Sequence, residues 1–199
     1  MLTKNGISEL FPVQKAAFKL FVEGEELIVK SRTGSGKTLA FLLPLQELLD
    51  KQAKERKNDV LAVILEPTRE LAVQVDDQIK KFSNLRSVLL FGGGGTKAFH
   101  NMNDIRRVRP HVIVATPGRL IDLLENYGLS IESSGYQILD EGDKMLDMGF
   151  HKDIMRIQQF MPQAQSMIFS ATVPAYIQEI ARKYMKSPIM IDLVGKDAV

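Results

Sequence analysis

The sequence has no cysteine, no long apolar run and almost no excess of charge of either sign. Without cysteine, disulfide bonds and thiolate chemistry are excluded, which suits a reducing intracellular compartment. No apolar run approaches the ~20 residues that a membrane-spanning helix needs, and no secretory signal opens the chain. We therefore expect an intracellular protein without membrane contact, and the sequence does not distinguish cytoplasm, nucleus or organelle.

The net charge is +2, so any contact with nucleic acid must come from local placement of basic residues and not from a globally basic surface. The chain has 199 residues, of which 45% are hydrophobic and 25% charged. These values are typical of one globular domain that is large enough to bury a core without covalent crosslinks.

Six short apolar runs alternate with longer amphipathic stretches: ELIVKS, VLAVILEP, SVLLFG, HVIVAT, YQILDE and QSMIFSAT. The alternation predicts an α/β fold, and the nearly continuous apolar character predicts a mostly parallel sheet with helices on both faces. Because ligands of such sheets bind beyond the carboxyl ends of the strands, the polar residues that end each run should converge on one edge.

The stretch SRTGSGKT, residues 31–38, joins the first apolar run to a helical pattern. Gly34 and Gly36 allow backbone N–H groups to approach phosphate oxygens, Lys37 can reach the β and γ phosphates, and Thr38 can hold Mg²⁺. Ser31 stands where the usual phosphate-loop pattern has its first glycine. An ordinary glycine turn that caps a helix is the alternative.

A second signal is the pair Asp140 and Glu141, which directly follows the buried run YQIL. One carboxylate can hold a metal ion through its hydration shell while the other activates water, and a charged turn is the alternative.

Seven motifs occur in an order that resembles the first RecA-like domain of DEAD-box RNA helicases along nearly the whole chain. They are FPVQ ending at Gln14, SRTGSGKT, PTRELA (67–72), GG (92–93), TPGR (116–119), DEGD (140–143) and SAT (170–172). The resemblance implies a RecA-like ATP-binding domain over residues 1–199. Nothing similar to the second domain's HRxGRxxR motif follows, so we expect the second RecA-like domain to be absent from this chain.

For ATP and Mg²⁺, the resemblance implies that Gln14 reads adenine and that residues 31–38 bind the phosphates: Ser31, Arg32, Thr33, Gly34, Ser35, Gly36, Lys37 and Thr38. Thr38 and Asp140 would place Mg²⁺, and Glu141 would activate water. The catalytic residues implied are thus Glu141, Asp140 and Lys37.

For RNA, the resemblance implies backbone contacts with little sequence specificity from Arg69, Gly93, Thr116, Gly118 and Arg119. Ser170 and Thr172 would bond to Asp143 and connect the ATP site to RNA. Gly142 departs from the family, which has alanine there, and costs up to ~1 kcal/mol if the position is helical.

The implied activity is that of an ATP-dependent RNA helicase, with this chain as a monomeric fragment that is nearly inactive without the second domain. An ATP-gated RNA clamp that does not unwind duplexes uses the same motifs, and a duplex-unwinding assay separates the two. Another phosphate-loop enzyme, such as a transporter ATPase or a small-molecule kinase, lacks the PTRELA, TPGR and SAT series. The charged run 51–59 is interpreted as a surface loop after the phosphate-loop helix.

Overall fold

The computed structural model describes residues 9–31, 36–56, 59–93 and 98–192. Strands and helices alternate along these residues, except that two helices follow each other between the fifth and sixth strands. The strands are β1 (Leu27–Lys30), β2 (Ala62–Leu65), β3 (Ser87–Leu90), β4 (Val112–Ala115), β5 (Tyr136–Leu139), β6 (Gln165–Ser170) and β7 (Ile189–Asp192). The helices are α1 (Pro12–Val22), α2 (Lys37–Glu55), α3 (Arg69–Phe82), α4 (Ala98–Val108), α5 (Pro117–Asn126), α6 (Gly142–Asp147), α7 (His151–Gln159) and α8 (Ala175–Tyr184).

The strands form one sheet in the order β3-β4-β2-β5-β6-β1-β7, and every pair of neighbours is parallel. The six apolar runs are the first six strands, as predicted. An all-parallel sheet needs a crossover between consecutive strands, and the helices provide these crossovers.

Alternate residues of the strands β1 to β6 face two separate cores. Ile64 and Ile138 pack on one face with α1, α2 and α3, whereas Leu65 and Leu139 pack on the other face with α4 to α8. Both faces of the sheet are therefore covered, which explains why the strands are apolar throughout.

The ladder of parallel hydrogen bonds continues one residue past several strands. Ser31 N donates to Ser170 O at 3.1 Å, Glu66 N to Ala115 O at 2.9 Å, and Asp140 N to Leu65 O at 3.1 Å. The residues that follow these strands are consequently held in line with the sheet, and their side chains keep the alternation of the strand.

The prediction that the charged run 51–59 forms a surface loop is wrong for its first half, because α2 continues to Glu55. Residues 51–55 read KQAKE, and all five are strong helix formers. Gln52 Nε2 also donates to the Tyr136 hydroxyl at 3.0 Å, which ties this part of α2 to β5. Within the described part of the chain, no helix is both long and apolar enough to cross a membrane.

Candidate functional site

The phosphate-loop helix α2 begins next to the carboxyl end of β1. Its N-cap, Gly36, has a left-handed backbone with φ of 82°. A Cβ at this position would lie 2.6 Å from Gln14 Nε2 and 2.7 Å from a Phe11 ring carbon, so only glycine fits. Arg32, Thr33, Gly34 and Ser35 lie outside the described residues.

Lys37, the first residue of α2, has a buried ammonium group that is only 5% exposed. It lies 3.7 Å from Glu141 Oε1, and no described atom accepts a hydrogen bond from it. The buried hydroxyl of Ser31 also has no hydrogen-bond partner among the described residues. Since buried polar groups are almost always hydrogen-bonded, these two donors mark a place for a ligand. Thr38 lies beside Lys37 and is half-buried.

Asp140 and Glu141 leave the end of β5 and are both buried. Asp140 Oδ1 accepts from Glu141 N at 2.8 Å. Glu141 has a left-handed backbone with φ of 52°, an unusual conformation for a residue with a side chain, and lies between Lys37 and Lys144. Burial raises the pKa of Asp140 to about 6, although the nearby Lys37 works in the opposite direction.

Glu66 is a further carboxyl group at this edge and was missed by the sequence reasoning. It follows β2 directly, is fully buried, and neither of its oxygens has a hydrogen-bond partner among the described residues. Burial and the adjacent charges of Asp140 and Glu141 raise its pKa well above the usual value. The available signal was an acid directly after a wholly apolar run, the same pattern that drew attention to Asp140.

Gln14 uses both ends of its amide, one toward the start of its own helix and the other toward Gly36. Its Oε1 accepts from Phe11 N at 2.9 Å, and its Nε2 donates to Gly36 O at 3.1 Å. One amide hydrogen and one oxygen lone pair remain for a base. Adenine reading by Gln14 therefore stays a prediction, and the contact with the phosphate loop is an additional finding.

Asp143, Ser170 and Thr172 form one hydrogen-bonded group between α6 and the end of β6. Asp143 Oδ2 accepts from Thr172 N at 2.9 Å and from Thr172 Oγ1 at 3.0 Å, while Asp143 N donates to Ser170 Oγ at 3.0 Å. Burial works to raise the pKa of Asp143, but the bonds from Thr172 outweigh it and hold the pKa below the usual value.

The residues predicted to contact RNA follow the strands β2, β3 and β4. Arg69 begins α3, is exposed, and stacks over the Phe91 ring at 4.5 Å. Gly93 is exposed with φ of 87°, and Thr116 caps α5. Gly118 and Arg119 lie in the first turn of α5, where Arg119 is 3.8 Å from Asp122. The edge of the sheet is thus divided: residues predicted to bind ATP follow β5 and β1, residues predicted to couple the two sites follow β6 between them, and residues predicted to bind RNA follow β3, β4 and β2.

The donor set at the ATP half fits a nucleotide-bound Mg²⁺. Thr38 and Asp140 offer oxygen ligands, which Mg²⁺ prefers, and Mg²⁺ usually keeps several waters and binds phosphate oxygens as well. Among the described residues, no three His, Cys, Asp or Glu side chains are grouped to hold a metal ion by themselves. The site therefore suits an ion that arrives with a nucleotide.

An all-parallel sheet with a glycine-capped phosphate helix and a carboxylate pair on a nearby strand defines a RecA-like phosphate-loop domain. Residues 11–180 match the DEAD/DEAH box helicase family, and the chain belongs to that family.

The relatives and structural neighbours agree with this assignment. The chain is 41% identical to DEAD-box ATP-dependent RNA helicase 53 of Oryza sativa, covering 98% of this chain and 33% of the relative. It is 39% identical to the human probable ATP-dependent RNA helicase DDX46, covering all of this chain and 20% of the relative. A structure of Mss116p bound to ssRNA and AMP-PNP superposes with a TM-score of 0.88 at 32% identity, over 99% of this chain and 42% of that chain. A DEAD box protein from Methanococcus jannaschii gives 0.85 at 34% identity, over 96% of this chain and 52% of that chain.

We predict that Gly142→Ala stabilises the domain. Gly142 is the buried first residue of α6, and an added Cβ would meet the terminal carbon of Ile177 at 3.0 Å, which a small rotation of that side chain relieves. Alanine costs less backbone entropy than glycine, so the free energy of unfolding should rise by ~0.5 kcal/mol in urea titrations. Gly24→Ala is the control: its φ of 96° strains any side chain, and this variant should lose stability. A loss of stability in both variants would show that the Ile177 side chain does not rotate away from the added Cβ.

We also predict that Thr172→Val weakens the domain in a pH-dependent way. The variant removes one donor to Asp143, which should cost ~0.5 kcal/mol of unfolding free energy at neutral pH. Because the pKa of Asp143 is lowered by folding, its contribution is present above the unfolded value of 3.8 and is lost as the pH falls through the folded value. Urea titrations of the two proteins should therefore converge in acid. Thr68→Val removes the cap that accepts from Leu71 N, and its cost should not change over this range.

Proposed function

We propose that this chain is the ATP-binding half of an ATP-dependent RNA helicase, which binds ATP with Mg²⁺ and the RNA backbone. The observation that carries the proposal is the buried Lys37 ammonium, which no described atom satisfies and which faces Glu141 at the start of a glycine-capped helix. The chain spans about a third of the length of the rice relative, so activity, substrate and partners of a whole protein belong to the proposal.

In the proposed ATP site, Lys37 and the free N–H groups at the start of α2 bind the β and γ phosphates. Thr38 and Asp140 hold the hydrated Mg²⁺, which when bound neutralises negative charge on the phosphate oxygens. Glu141 takes the proton of the attacking water, and Lys144, at 2.9 Å from its Oε2, keeps the carboxylate oriented. The remaining amide hydrogen and oxygen lone pair of Gln14 bind the base, so Gln14 connects the base with the phosphate loop.

In the proposed RNA site, Arg69 and Arg119 bind phosphates of the RNA. The exposed backbone of Gly93 permits close approach of the RNA strand. Contacts of this kind position a nucleic acid without reading its sequence. One solved relative, Mss116p, is described as bound to ssRNA and to AMP-PNP, which supports the pairing of the two ligands in this family.

We infer that a second RecA-like domain completes both sites. Arginine fingers are worth ~10³–10⁵ in rate in phosphoryl transfer, and the proposed mechanism takes them from that domain. The group of Asp143, Ser170 and Thr172 would transmit closure between the ATP half and the RNA half. An intracellular location is part of the proposal, since relatives include a chloroplastic maize protein and a mitochondrial Arabidopsis protein.

Lys37→Ala should weaken binding of ADP by at least ~10-fold, because it removes the buried charge nearest the proposed phosphates. Calorimetric titration of the 199-residue chain with ADP measures this, and a parallel titration with GDP tests the base preference assigned to Gln14. Lys51→Ala removes an exposed charge from the same helix and should leave the affinity for ADP unchanged. If the parent, Lys37→Ala and Lys51→Ala bind ADP with equal affinity, Lys37 does not bind the phosphates and the phosphate-loop assignment is contradicted.

Glu141→Gln should retain nucleotide binding and slow ATP hydrolysis by ~10²-fold or more, because an amide does not take a proton from water. The measurement is single-turnover hydrolysis with RNA, in protein that includes the second RecA-like domain. Asp147→Asn, an exposed acid on the same short helix, serves as the control and should hydrolyse ATP at the parent rate. Hydrolysis by Glu141→Gln at the parent rate would assign the base to another residue.

A further inference from the structure

Among the residues that the structure describes, Glu66 is the one buried carboxyl group at the proposed ATP edge to which the mechanism above gives no role. It is 0% exposed, and neither carboxyl oxygen has a hydrogen-bond partner among the described residues. A carboxylate offers about four acceptor positions, and native proteins seldom bury such a group without partners. The unpartnered oxygens therefore point to water or a ligand that the site receives.

The strand register determines the direction of Glu66. Leu65 pairs with Leu139, so Glu66 and Asp140 are neighbours one residue past their strands. Ile64 and Ile138, two residues earlier on each strand, both face α1, α2 and α3. Since side chains alternate along a strand, Glu66 and Asp140 point to this same face, where α2 begins with Lys37.

Among the described residues at this edge, acidic groups outnumber basic groups. Glu66, Asp140 and Glu141 supply three carboxyl groups, whereas Lys37 and Lys144 are the two lysines that interact with them. Both lysines pair with Glu141, at 3.7 Å and 2.9 Å, and neither hydrogen-bonds to Glu66. When a nucleotide binds together with a divalent cation, the cation brings positive charge to Glu66 and Asp140, the two carboxyl groups with which neither lysine forms an ion pair.

We propose that Glu66 is a positioning residue for the cation of the nucleotide, and that its carboxylate accepts hydrogen bonds from the water shell of that cation. Water-mediated contact is favoured over direct ligation, because the described acids are not grouped as a metal cage and Mg²⁺ gives up its waters reluctantly. The inference rests on the proposed nucleotide site.

A different role for Glu66 makes a different prediction. If Glu66 acted only on the charge of Lys37, its removal would alter nucleotide binding equally with and without Mg²⁺. If Glu66 only filled space, its removal would alter stability and leave binding alone. The dependence of ADP binding on Mg²⁺ therefore separates these roles.

The experiment titrates the 199-residue chain with ADP, once in excess EDTA and then across a series of Mg²⁺ concentrations. Glu66→Gln keeps one acceptor oxygen without the charge, and Glu66→Met removes both at similar volume. With Mg²⁺, Glu66→Met should bind ADP about tenfold more weakly than the parent, and Glu66→Gln should lie between them. In EDTA, both variants should bind ADP at least as tightly as the parent.

Thermal unfolding without nucleotide supplies a second measurement that does not depend on ADP. Since Glu66→Met replaces a buried carboxyl group without partners by an apolar side chain, this variant should melt higher than the parent, by about 2 °C or more, whereas Glu66→Gln buries an amide without partners and should melt below Glu66→Met. Glu26→Gln is the matched control. Glu26 is also buried, but it precedes β1 at the opposite edge and accepts from Ser166 N at 3.0 Å and from Lys186 N. This variant should melt lower and keep the parent's Mg²⁺ dependence.

The outcomes separate the inference from the proposed function. A Mg²⁺-specific loss of ADP affinity in the Glu66 variants, together with a higher melting temperature of Glu66→Met, supports the inference. Parental ADP binding in the variants, an equal loss with and without Mg²⁺, or a lower melting temperature of Glu66→Met overturns it while nucleotide binding by the parent stands. Absence of ADP binding by the parent itself overturns the proposed function.

Discussion

The common direction of the strands is the constraint on which the candidate site depends. Because every neighbouring pair in the sheet is parallel, the carboxyl ends of the strands meet at one edge. Residues far apart in the sequence are thereby placed in a row, among them Ser31, Glu66, Thr116, Asp140 and Ser170. Hydrogen bonds that extend the ladder past the strands fix the first polar residue at several of these positions. The position of the site thus follows from the sheet, and its chemistry follows from the residue that comes next on each strand.

The same constraint places charged groups where water is scarce. Helices cover both faces of the sheet, so side chains just past the strands remain buried, and Lys37, Glu66, Asp140 and Glu141 all lie there. Burying a charge is costly unless it is paired, and here the pairing is incomplete. Glu141 carries a further cost in its left-handed backbone, which turns its carboxylate toward Lys37 and Lys144. The proposed nucleotide and its cation would lower these costs, because they would bring phosphate oxygens to Lys37 and positive charge to the carboxyl groups.

Much of this edge could be predicted from the sequence, because each apolar run is bounded by polar residues and a sheet covered on both faces requires such runs. The end of α2 differs from the prediction, because a run of charges suggests a surface loop although its first residues, 51–55, favour helix. Glu66 was missed for a different reason: the PTRELA motif begins one residue later, and an acid beside an apolar run carries no information about its partners. Only the register of β2 against β5 brings Glu66 next to Asp140. The contact of Gln14 with Gly36 likewise depends on how α1 packs against α2.

Strand β2 lies between β4 and β5, and therefore at the boundary between the two halves of the edge. Glu66 lies next to Asp140 of the proposed ATP half, and Arg69, three residues later, is the first residue of α3 and belongs to the proposed RNA half. The link between them is short and stiff: the ring of Pro67 fixes φ, and the Thr68 side chain caps α3 by accepting from Leu71 N at 3.3 Å. Two residues with these restrictions absorb little displacement. Glu66, next to the proposed ATP site, and Arg69, in the proposed RNA site, are therefore held at a nearly fixed spacing after β2, independently of the hydrogen-bonded group of Asp143, Ser170 and Thr172.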